Sequence, residues 1–467
     1  MLSMDLVVRN GTLVTPAGPL RKDVGILGAH IAGVADDLTG LREIDASGCH
    51  VLPGGIDPHV HLQMPTGDYV SSDDFASGTK AAALGGTTTV IDFVEPEPGE
   101  PLMEALEKRR AEADGQVVID YGLHMTIPTW HAAHPASLTE LPAVVEAGVS
   151  SFKLYLAYEG FRVDDVQLLD ALTAIADAGA LAIAHCENGP ICEHLRAQAV
   201  ARGHTAPRYH AVTRPPRQEA EAVSRLIDIA SLAGSPVYVV HVSCRAALDR
   251  IEAAQARGDV VYSETCPQYL LLDKSALLGD HGERMICAPP LRTDPDRQAL
   301  WQALKGGAID LVATDHCPFT AKDKAGHTAF TEIPGGVPSI EARLALVHHG
   351  RQEHRMTLED VMRVCSTRAA DIFGLSTKGR IAVGFDADLV VFDPKREVTI
   401  EAGKSLHEGV DWTPYAGMRV RGWTRDVISG GELIVDDGRF VGAEGHGTFV
   451  HRGRPQVGGE TQVSRTP

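Results

Sequence analysis

From about Pro53 onward, short apolar runs alternate with amphipathic stretches, and this alternation constrains the fold more than any other feature of the sequence. Eight of the apolar runs have the length and β-branched content of buried strands, and they are HVLPGGID, GTTTVID, VVIDYGLHMTI, SSFKLYL, ALAIAH, PVYVVH, DVVYSE and IDLVATD. Between them lie stretches with helical periodicity, such as LMEALEKRRAEA and QLLDALTAIADAG. Eight strand–helix units over this length predict an α/β fold, namely a (β/α)8 TIM-like barrel of parallel strands.

The two ends of the chain have a different texture, because short β-rich runs there alternate with turn residues. Examples are DLVVRNGTLV and DVGILGAHIAGV near the start, and ADLVVFDP and RDVISGGELIVDDGRF after Phe373. We expect residues 1–52 and 376–442 to pair into a small β-sandwich domain beside a catalytic barrel formed by residues 53–375. The segment 443–467, rich in Gly, Arg and Pro, is expected to be either a flexible tail or an arm that contacts a neighbouring subunit.

The charge and composition of the 467-residue chain exclude several classes of partner. The formal net charge is −19, which disfavours nucleic acid and anionic membranes because both bind clustered Lys and Arg. The sequence contains neither a long apolar run that could span a bilayer nor a secretion signal in its first residues, MLSMDLVVRNG, so a cytoplasmic location is expected. The eight Cys form no CxxC pair and are expected to be reduced.

Side chains that can bind metal ions stand at or near the ends of five of the predicted strands. They are His59 and His61 after the first strand, Lys153 in the fourth, His185 at the end of the fifth, His241 at the end of the sixth and Asp315 at the end of the eighth. The carboxyl ends of the strands in such a barrel share one mouth, where the chemistry occurs. Imidazole nitrogen and carboxylate oxygen are ligands that suit zinc or a similar divalent ion.

Each of these residues also has a purely structural explanation. A lone His at a strand end is more often a hydrogen-bonded polar residue than a ligand, and Asp315 fits the N-cap of a helix. Lys153 fits an edge lysine that extends to solvent, and Tyr158 fits a packing aromatic with a satisfied hydroxyl. The placement of the whole set at strand ends favours a shared site.

Seven motifs carry a resemblance that covers nearly the whole chain. They are GGIDPHVHLQMP, SFKLYLAY, AHCENG, HVSC, SETCPQYLLLD, APPLR and ATDHCPF, and with them the sequence resembles the dihydropyrimidinases and D-hydantoinases of the cyclic amidohydrolase family. The resemblance implies two divalent metal ions, usually zinc, bridged by a lysine that carbon dioxide has carboxylated. It implies that His59, His61 and Asp315 bind one ion, that His185 and His241 bind the other, and that carboxylated Lys153 spans both.

The resemblance also implies a reaction. A cyclic amide, either a dihydropyrimidine or a 5-substituted hydantoin, is opened to the N-carbamoyl amino acid by a hydroxide that bridges the two ions, as in pyrimidine degradation. Asp315 would transfer the proton, and Tyr158 would donate a hydrogen bond to the tetrahedral oxyanion. The family further implies a homo-oligomer, namely a tetramer.

Recognition of the substrate is implied for two sets of residues. Backbone groups at Ala288 and Gly335, where the family more often has Ser and Asn, would bind the ring together with Tyr158. The pocket for the ring substituent would be shaped by Met64, Thr66, Tyr155 and Arg162. Thr66 and Arg162 are more polar than a pocket for bulky aromatic groups requires, and we therefore expect a small or polar substituent.

The sequence also bears on three other functions. Dihydroorotase-like enzymes have Arg two residues after the HxH pair, whereas this chain has Gln63. An allantoinase-type reaction stays open, because allantoin is itself a hydantoin. A non-catalytic scaffold of the same fold is disfavoured because none of the six ligand-type residues is missing. His316, Cys317 and Cys186 adjoin predicted ligands, and we interpret them as supporting or packing residues.

Overall fold

The centre of the molecule is an eight-stranded parallel sheet, which confirms the predicted barrel. The structure, a computed structural model, describes residues 3–455. The barrel strands are Gly55–Asp57, Thr87–Val94, Asp120–Thr126, Ser151–Tyr155, Leu181–His185, Val237–Val239, Val261–Thr265 and Leu311–Val312. Each strand pairs in parallel with the next one along the chain, as Thr126 with Lys153 and Tyr155 with His185 illustrate. The carboxyl ends of all eight strands therefore lie at one rim.

Backbone hydrogen bonds close the barrel between its first and eighth strands. The amide of Asp315 donates to the carbonyl of His59 at 2.9 Å, and the amide of His61 donates to the carbonyl of His316 at 2.8 Å. Val60 and His316 form the corresponding parallel bridge. Closure thus brings the HxH segment beside the aspartate that lies about 250 residues later in the chain.

The helices follow the strands as the periodicity predicts, and two of them coincide closely with the predicted stretches. The α-helices span Phe75–Leu84, Leu102–Ala113, Thr129–Ala132, Pro135–Leu138, Leu141–Glu146, Asp165–Asp177, Gly189–Ala201, Tyr209–Thr213, Pro216–Ala233, Arg245–Arg257, Pro267–Leu271, Asp294–Gly306, Ala321–Lys324, Arg343–Gly350, Leu358–Met362 and Arg368–Ile372. Short 3-10 turns cover Lys274–Leu278 and Gly282–Met285, and a π turn covers Arg363–Thr367. Asp164 begins its helix with a capping box, and Gly234 ends another in the left-handed conformation.

Two antiparallel-rich sheets pack against each other beside the barrel. One contains Met4–Arg9, Asp23–Leu27, His30–Ala35 and Gly40–Asp45, and the other contains Thr12–Thr15, Gly18–Leu20, His50–Pro53, Leu389–Thr399, Arg419–Ser429, Glu432–Asp436 and Arg439–Phe440. Their shared core joins apolar side chains of both sheets, such as Val24 and Ile26 with Val51 and Leu389. The second sheet joins both ends of the chain, which confirms that they form one β-sandwich.

The first predicted barrel strand, HVLPGGID, is divided between the two units. His50–Pro53 pairs with Leu389–Thr399 in the sandwich, whereas Gly55–Asp57 pairs with Thr87–Val94 in the barrel. Gly54 separates the two strands, and a Cβ atom there would lie 2.0 Å from the Oγ1 atom of Thr88. Glycine is therefore required where the chain passes from one sheet to the other.

The interior of the barrel below the mouth is filled with side chains. Ile91, Ile183 and Tyr238 pack with Phe373 and Leu375, which lie beyond the helix Arg368–Ile372. Among the described residues, no helix is both long and apolar enough to cross a bilayer.

The segment after residue 442 was expected to be a flexible tail or an arm on a neighbouring subunit. Its described part, residues 443–455, instead makes contacts with the barrel of the same chain: the amide of Tyr121 donates to Thr448, and Val450 joins the interior cluster. Arg452 is 1% exposed and donates to Oγ of Ser151 at 2.9 Å. These backbone and guanidinium bonds fix the segment. The remainder of the predicted tail, 456–467, lies outside the described residues.

Candidate metal centre and substrate pocket

Three side chains that follow the first and eighth barrel strands meet around one carboxylate oxygen. Nε2 of His59 and Nε2 of His61 each lie 3.2 Å from Oδ1 of Asp315. The ligand atoms of these residues all lie within 4.8 Å of one another. Two imidazoles and a carboxylate at such separations can share one divalent ion, whose bonds to them are about 2.0–2.2 Å long.

The other two predicted histidine ligands lie beside this group. Nδ1 of His185 and Nε2 of His241 face each other at 2.9 Å, and the ring of His241 is 5.6 Å from that of His59 between centroids. Nε2 of His185 contacts Oε2 of Glu187 at 3.0 Å. When Nε2 donates its proton to this carboxylate, Nδ1 keeps the lone pair that a metal ion needs.

Lys153 lines the same cavity as both groups of histidines and is 1% exposed. Its Nζ atom is 5.0 Å from the ring centre of Phe93, a ring that also contacts His59 and His61. The same atom is 5.2 Å from the ring centre of Tyr155. The strand carries Lys153 and Tyr155 on one face, toward the mouth, because side chains alternate along a strand.

The ammonium group of Lys153 makes no ion pair with any carboxylate between residues 3 and 455. Burial lowers the pKa of Lys153, and the negative charges of Asp315 and Glu264 offset only part of this shift. A buried lysine that loses its proton readily is the form that can react with carbon dioxide.

Two buried carboxylates, which the sequence analysis did not identify, fix the imidazole rings. Glu264 contacts Nδ1 of His59, and Glu187 contacts His185 while it forms an ion pair with Arg214. Burial raises the pKa of Glu264 to about 8. Burial acts in the same direction on Glu187, but Arg214 and His185 outweigh it and hold the pKa of that carboxyl well below its ordinary value. The sequence did contain a signal for Glu264, which ends the apolar run DVVYSE. A carboxylate in a buried strand needs a partner.

Three of the predicted site residues have backbone conformations that are rare outside glycine. The φ angles are 69° for Tyr158, 40° for His241 and 53° for Asp315. Non-glycine residues in the left-handed region cost conformational energy and are concentrated at functional sites. This geometry turns each side chain at the point where its strand ends.

A cavity of about 710 Å³ opens above the cluster. Its lining includes all the predicted recognition residues at Met64, Thr66, Tyr155, Tyr158, Ala288 and Gly335. It also includes Glu95, Trp130 and Phe161, which the sequence analysis missed. Arg162, which we expected at the pocket, forms an ion pair with Glu193 instead of joining the lining.

Tyr158 lies at the boundary between the cluster and the cavity. The residue is 37% exposed, and its ring centre is 4.9 Å from that of His185. Desolvation raises the pKa of Tyr158 above its ordinary value, so the hydroxyl stays a neutral hydrogen-bond donor at physiological pH.

The neighbours of the ligands have the supporting contacts that we expected. His316 is fully buried, and its Nε2 atom lies 3.0 Å from Oδ2 of Asp73. Burial raises the pKa values of the Cys186 and Cys317 thiols well above the ordinary value. Neither thiol is therefore a ready nucleophile.

The residues present fit two divalent ions. Nε2 of His59, the atom that faces Asp315, is buried without a hydrogen-bond partner in the part of the chain that the structure describes. Buried polar atoms are normally satisfied, so this nitrogen indicates a missing partner. A cation beside two imidazole groups supplies that partner.

Parallel strands, a packed interior and imidazole groups at the mouth are features of metal-dependent hydrolases built on this barrel. The chain belongs to the amidohydrolase family, whose sequence model matches residues 50–434. This match covers both the barrel and most of the C-terminal part of the sandwich.

Within this family the chain is similar to hydantoinases and dihydropyrimidinases, as its motifs predicted. It is 44% identical over 461 residues to the D-hydantoinase of Geobacillus stearothermophilus, covering 97% of each chain. It is 40% identical over 458 residues to the D-phenylhydantoinase of Escherichia coli, covering 96% of this chain and 98% of the relative. The crystal structure of dihydropyrimidinase from Brevibacillus agri superimposes with a TM-score of 0.94 at 42% identity, covering 97% of this chain and 99% of that structure.

Proposed function

We propose that the protein opens a cyclic amide, either a dihydropyrimidine or a 5-substituted hydantoin, and releases the N-carbamoyl amino acid. One observation carries the proposal: six ligand-type side chains from five barrel strands converge at the mouth, beneath a cavity that accommodates a small ring. The relatives are hydantoinases and dihydropyrimidinases, which favours this reaction over an allantoinase-type reaction and over a metal-free scaffold.

His59, His61 and Asp315 would hold one divalent ion, His185 and His241 would hold the other, and carboxylated Lys153 would contact both. When bound, two such ions supply a nucleophile at neutral pH and polarise the carbonyl that is attacked. The identity of the ions as zinc and the carboxylation of Lys153 stay predictions.

The chain's own residues then move protons and orient the ring. Burial raises the pKa of Asp315, but its imidazole neighbours outweigh this effect and keep the carboxylate ionised, ready to accept a proton and return it to the leaving nitrogen. The hydroxyl of Tyr158 donates to the oxygen that becomes negative. Gly335 has no atom within 4 Å of the position where a Cβ would lie, which leaves room for the ring against the backbone.

Metal analysis and a substrate panel test the proposal. The protein, refilled with zinc, manganese or cobalt in bicarbonate, should bind about two ions per chain and hydrolyse dihydrouracil or hydantoin. Allantoin and dihydroorotate serve as controls and should be poor substrates. A protein that binds metal but opens none of these rings would contradict the proposal, as would hydrolysis confined to allantoin.

Several further expectations stay predictions. They are the division of the chain into 1–52, 53–375, 376–442 and 443–467, the homotetramer and the cytoplasmic location. Light scattering after size-exclusion chromatography measures the subunit number directly.

A further inference from the structure

One wall of the cavity holds a carboxylate that the proposed reaction does not use. Glu95 follows the second barrel strand, Thr87–Val94, directly. Its Oε1 atom accepts hydrogen bonds from the hydroxyl of Tyr155 at 3.0 Å and from the hydroxyl of Thr126 at 3.1 Å. These two bonds fix the orientation of the Glu95 side chain toward the mouth.

The second oxygen of Glu95 is not satisfied. Oε2 is buried and has no hydrogen-bond partner among residues 3–455, and Glu95 forms no ion pair there. The charges of His61 and Lys153 act on Glu95, but neither group forms an ion pair with it within the described part of the chain. Burial raises the pKa of Glu95, although the bond from Tyr155 offsets part of the rise. A cation beside Oε2 would remove this desolvation cost.

Aromatic rings line the wall next to this carboxylate. The ring centre of Tyr155 is 5.9 Å from that of Phe161, which is 4.9 Å from that of Trp130. All three rings line the cavity. Ring faces attract a desolvated cation, most strongly at Trp.

We propose that the cavity selects rings whose substituent ends in a cation, such as a primary ammonium group, and that Glu95 determines this selection. This inference rests on the proposed function and names its substrate class. A butyl or phenyl substituent contacts the same rings but leaves Oε2 of Glu95 without a partner. Sites with buried polar groups reject analogues that lack the matching group, and this supplies the discrimination.

A pair of hydantoins with substituents of equal length tests the inference. For the metal-loaded wild type we expect kcat/KM to be at least about tenfold higher for 5-(3-aminopropyl)hydantoin than for 5-butylhydantoin, a ratio that corresponds to roughly 1.4 kcal/mol. In Glu95→Gln, which keeps the shape but loses the charge, the ratio should fall toward one. Trp130→Leu should lower it as well, because the ring face is lost. Melting curves establish that both variants are folded.

The matched control is Glu107→Gln, since Glu107 is exposed on the helix Leu102–Ala113 and lies outside the cavity lining. It should keep the wild-type ratio. Unsubstituted hydantoin and dihydrouracil, measured in parallel, separate the two hypotheses. If no ring is opened, the proposed function fails and this inference with it. If rings are opened but the wild type treats both substituents alike, or Glu95→Gln keeps the preference, the function stands and the inference is overturned.

Discussion

Two buried lysines, Lys153 at the mouth of the barrel and Lys378 near its opposite end, occupy contrasting environments. Nζ of Lys378 lies 2.7 Å from carboxylate oxygens of Asp120 and Asp388, and 3.1 Å from one of Asp386. Burial alone would lower the pKa of Lys378, but the three carboxylates outweigh burial and raise it. Burial prevails at Lys153, which has no such partner, and lowers the pKa.

The difference teaches how to separate a structural lysine from a reactive one. The three aspartates around Lys378 have the spacing of a metal-binding group, as do His59, His61 and Asp315. At the three aspartates, the ammonium group of Lys378 already forms an ion pair with each carboxylate. At the mouth, Lys153 has no carboxylate partner among the described residues. Depth of burial alone therefore does not identify the reactive residue, but the surrounding charge does.

The largest expected effect comes from the loss of the mouth lysine. Lys153→Met should lower kcat/KM by at least ~10³-fold and reduce bound metal to less than two ions per chain, because the proposed bridging ligand would be lost. Metal analysis and steady-state kinetics measure both effects. Wild-type protein equilibrated with ¹³C-bicarbonate should show a carbamate carbon resonance that the variant lacks.

Lys305→Met, on an exposed face of the helix Asp294–Gly306, is the matched control and should change none of these quantities. If Lys153→Met retained two ions and full activity, Lys153 would not be a bridging ligand.

At Lys378 the comparison predicts a loss of stability without a loss of activity. Lys378→Met should lower the free energy of unfolding by roughly 3–5 kcal/mol, because three carboxylates stay near one another without their cation. Activity per folded molecule should stay at the wild-type level, since Lys378 lies far from the mouth. Urea denaturation and kinetics on the folded fraction measure the two quantities separately.

The pH dependence of this stabilisation follows from the direction of the pKa shift. The pKa of Lys378 is higher in the folded protein than its ordinary value of 10.5, so its contribution is fully present below pH 10.5 and declines above it. The stability difference between wild type and Lys378→Met should therefore shrink above about pH 10.5. A constant difference at all pH values would contradict the assigned ion pairs.

A third buried lysine, Lys324, gives the prediction with the smallest expected effect, a change of stability with pH. Within residues 3–455, Lys324 donates only to the carbonyls of Arg284 and Ile286, at 3.1 and 2.9 Å, and burial lowers its pKa to about 7. Because the folded pKa lies below the unfolded one, the cost of burying the charge is complete below pH 7 and disappears as the pH rises to 10.5. The free energy of unfolding of the wild type should therefore rise over this interval. Lys324→Met should lack this rise in its denaturation curves, and a parallel rise in both proteins would refute the shift.

The barrel was predictable because its strands are buried on both faces and read as continuous apolar runs. Two details were not. The run HVLPGGID gives no local signal that it changes sheets, since only the approach of Thr88 to Gly54 requires the break. The contacts of segment 443–455 depend on distant partners such as Tyr121 and Ser151, which composition cannot reveal.

The candidate site also contains residues that the sequence could predict and residues that it could not. His59, His61 and Asp315 were identifiable because strand order alone brings the carboxyl ends of strands together. Arg162 was placed in the pocket wrongly, since its direction depends on an ion pair with Glu193 from another helix. Glu95 was missed because a single glutamate after a strand resembles an ordinary solvated residue.

The side chains that fill the barrel below its mouth affect how substrate enters and product leaves. The barrel is filled at the amino ends of its strands by Phe373, Leu375 and Val450. In the described part of the molecule, substrate and product therefore share one opening, at the carboxyl ends of the strands. A released N-carbamoyl amino acid would therefore have to leave through that opening before the next ring enters, and its carboxylate would compete for the proposed metal ions.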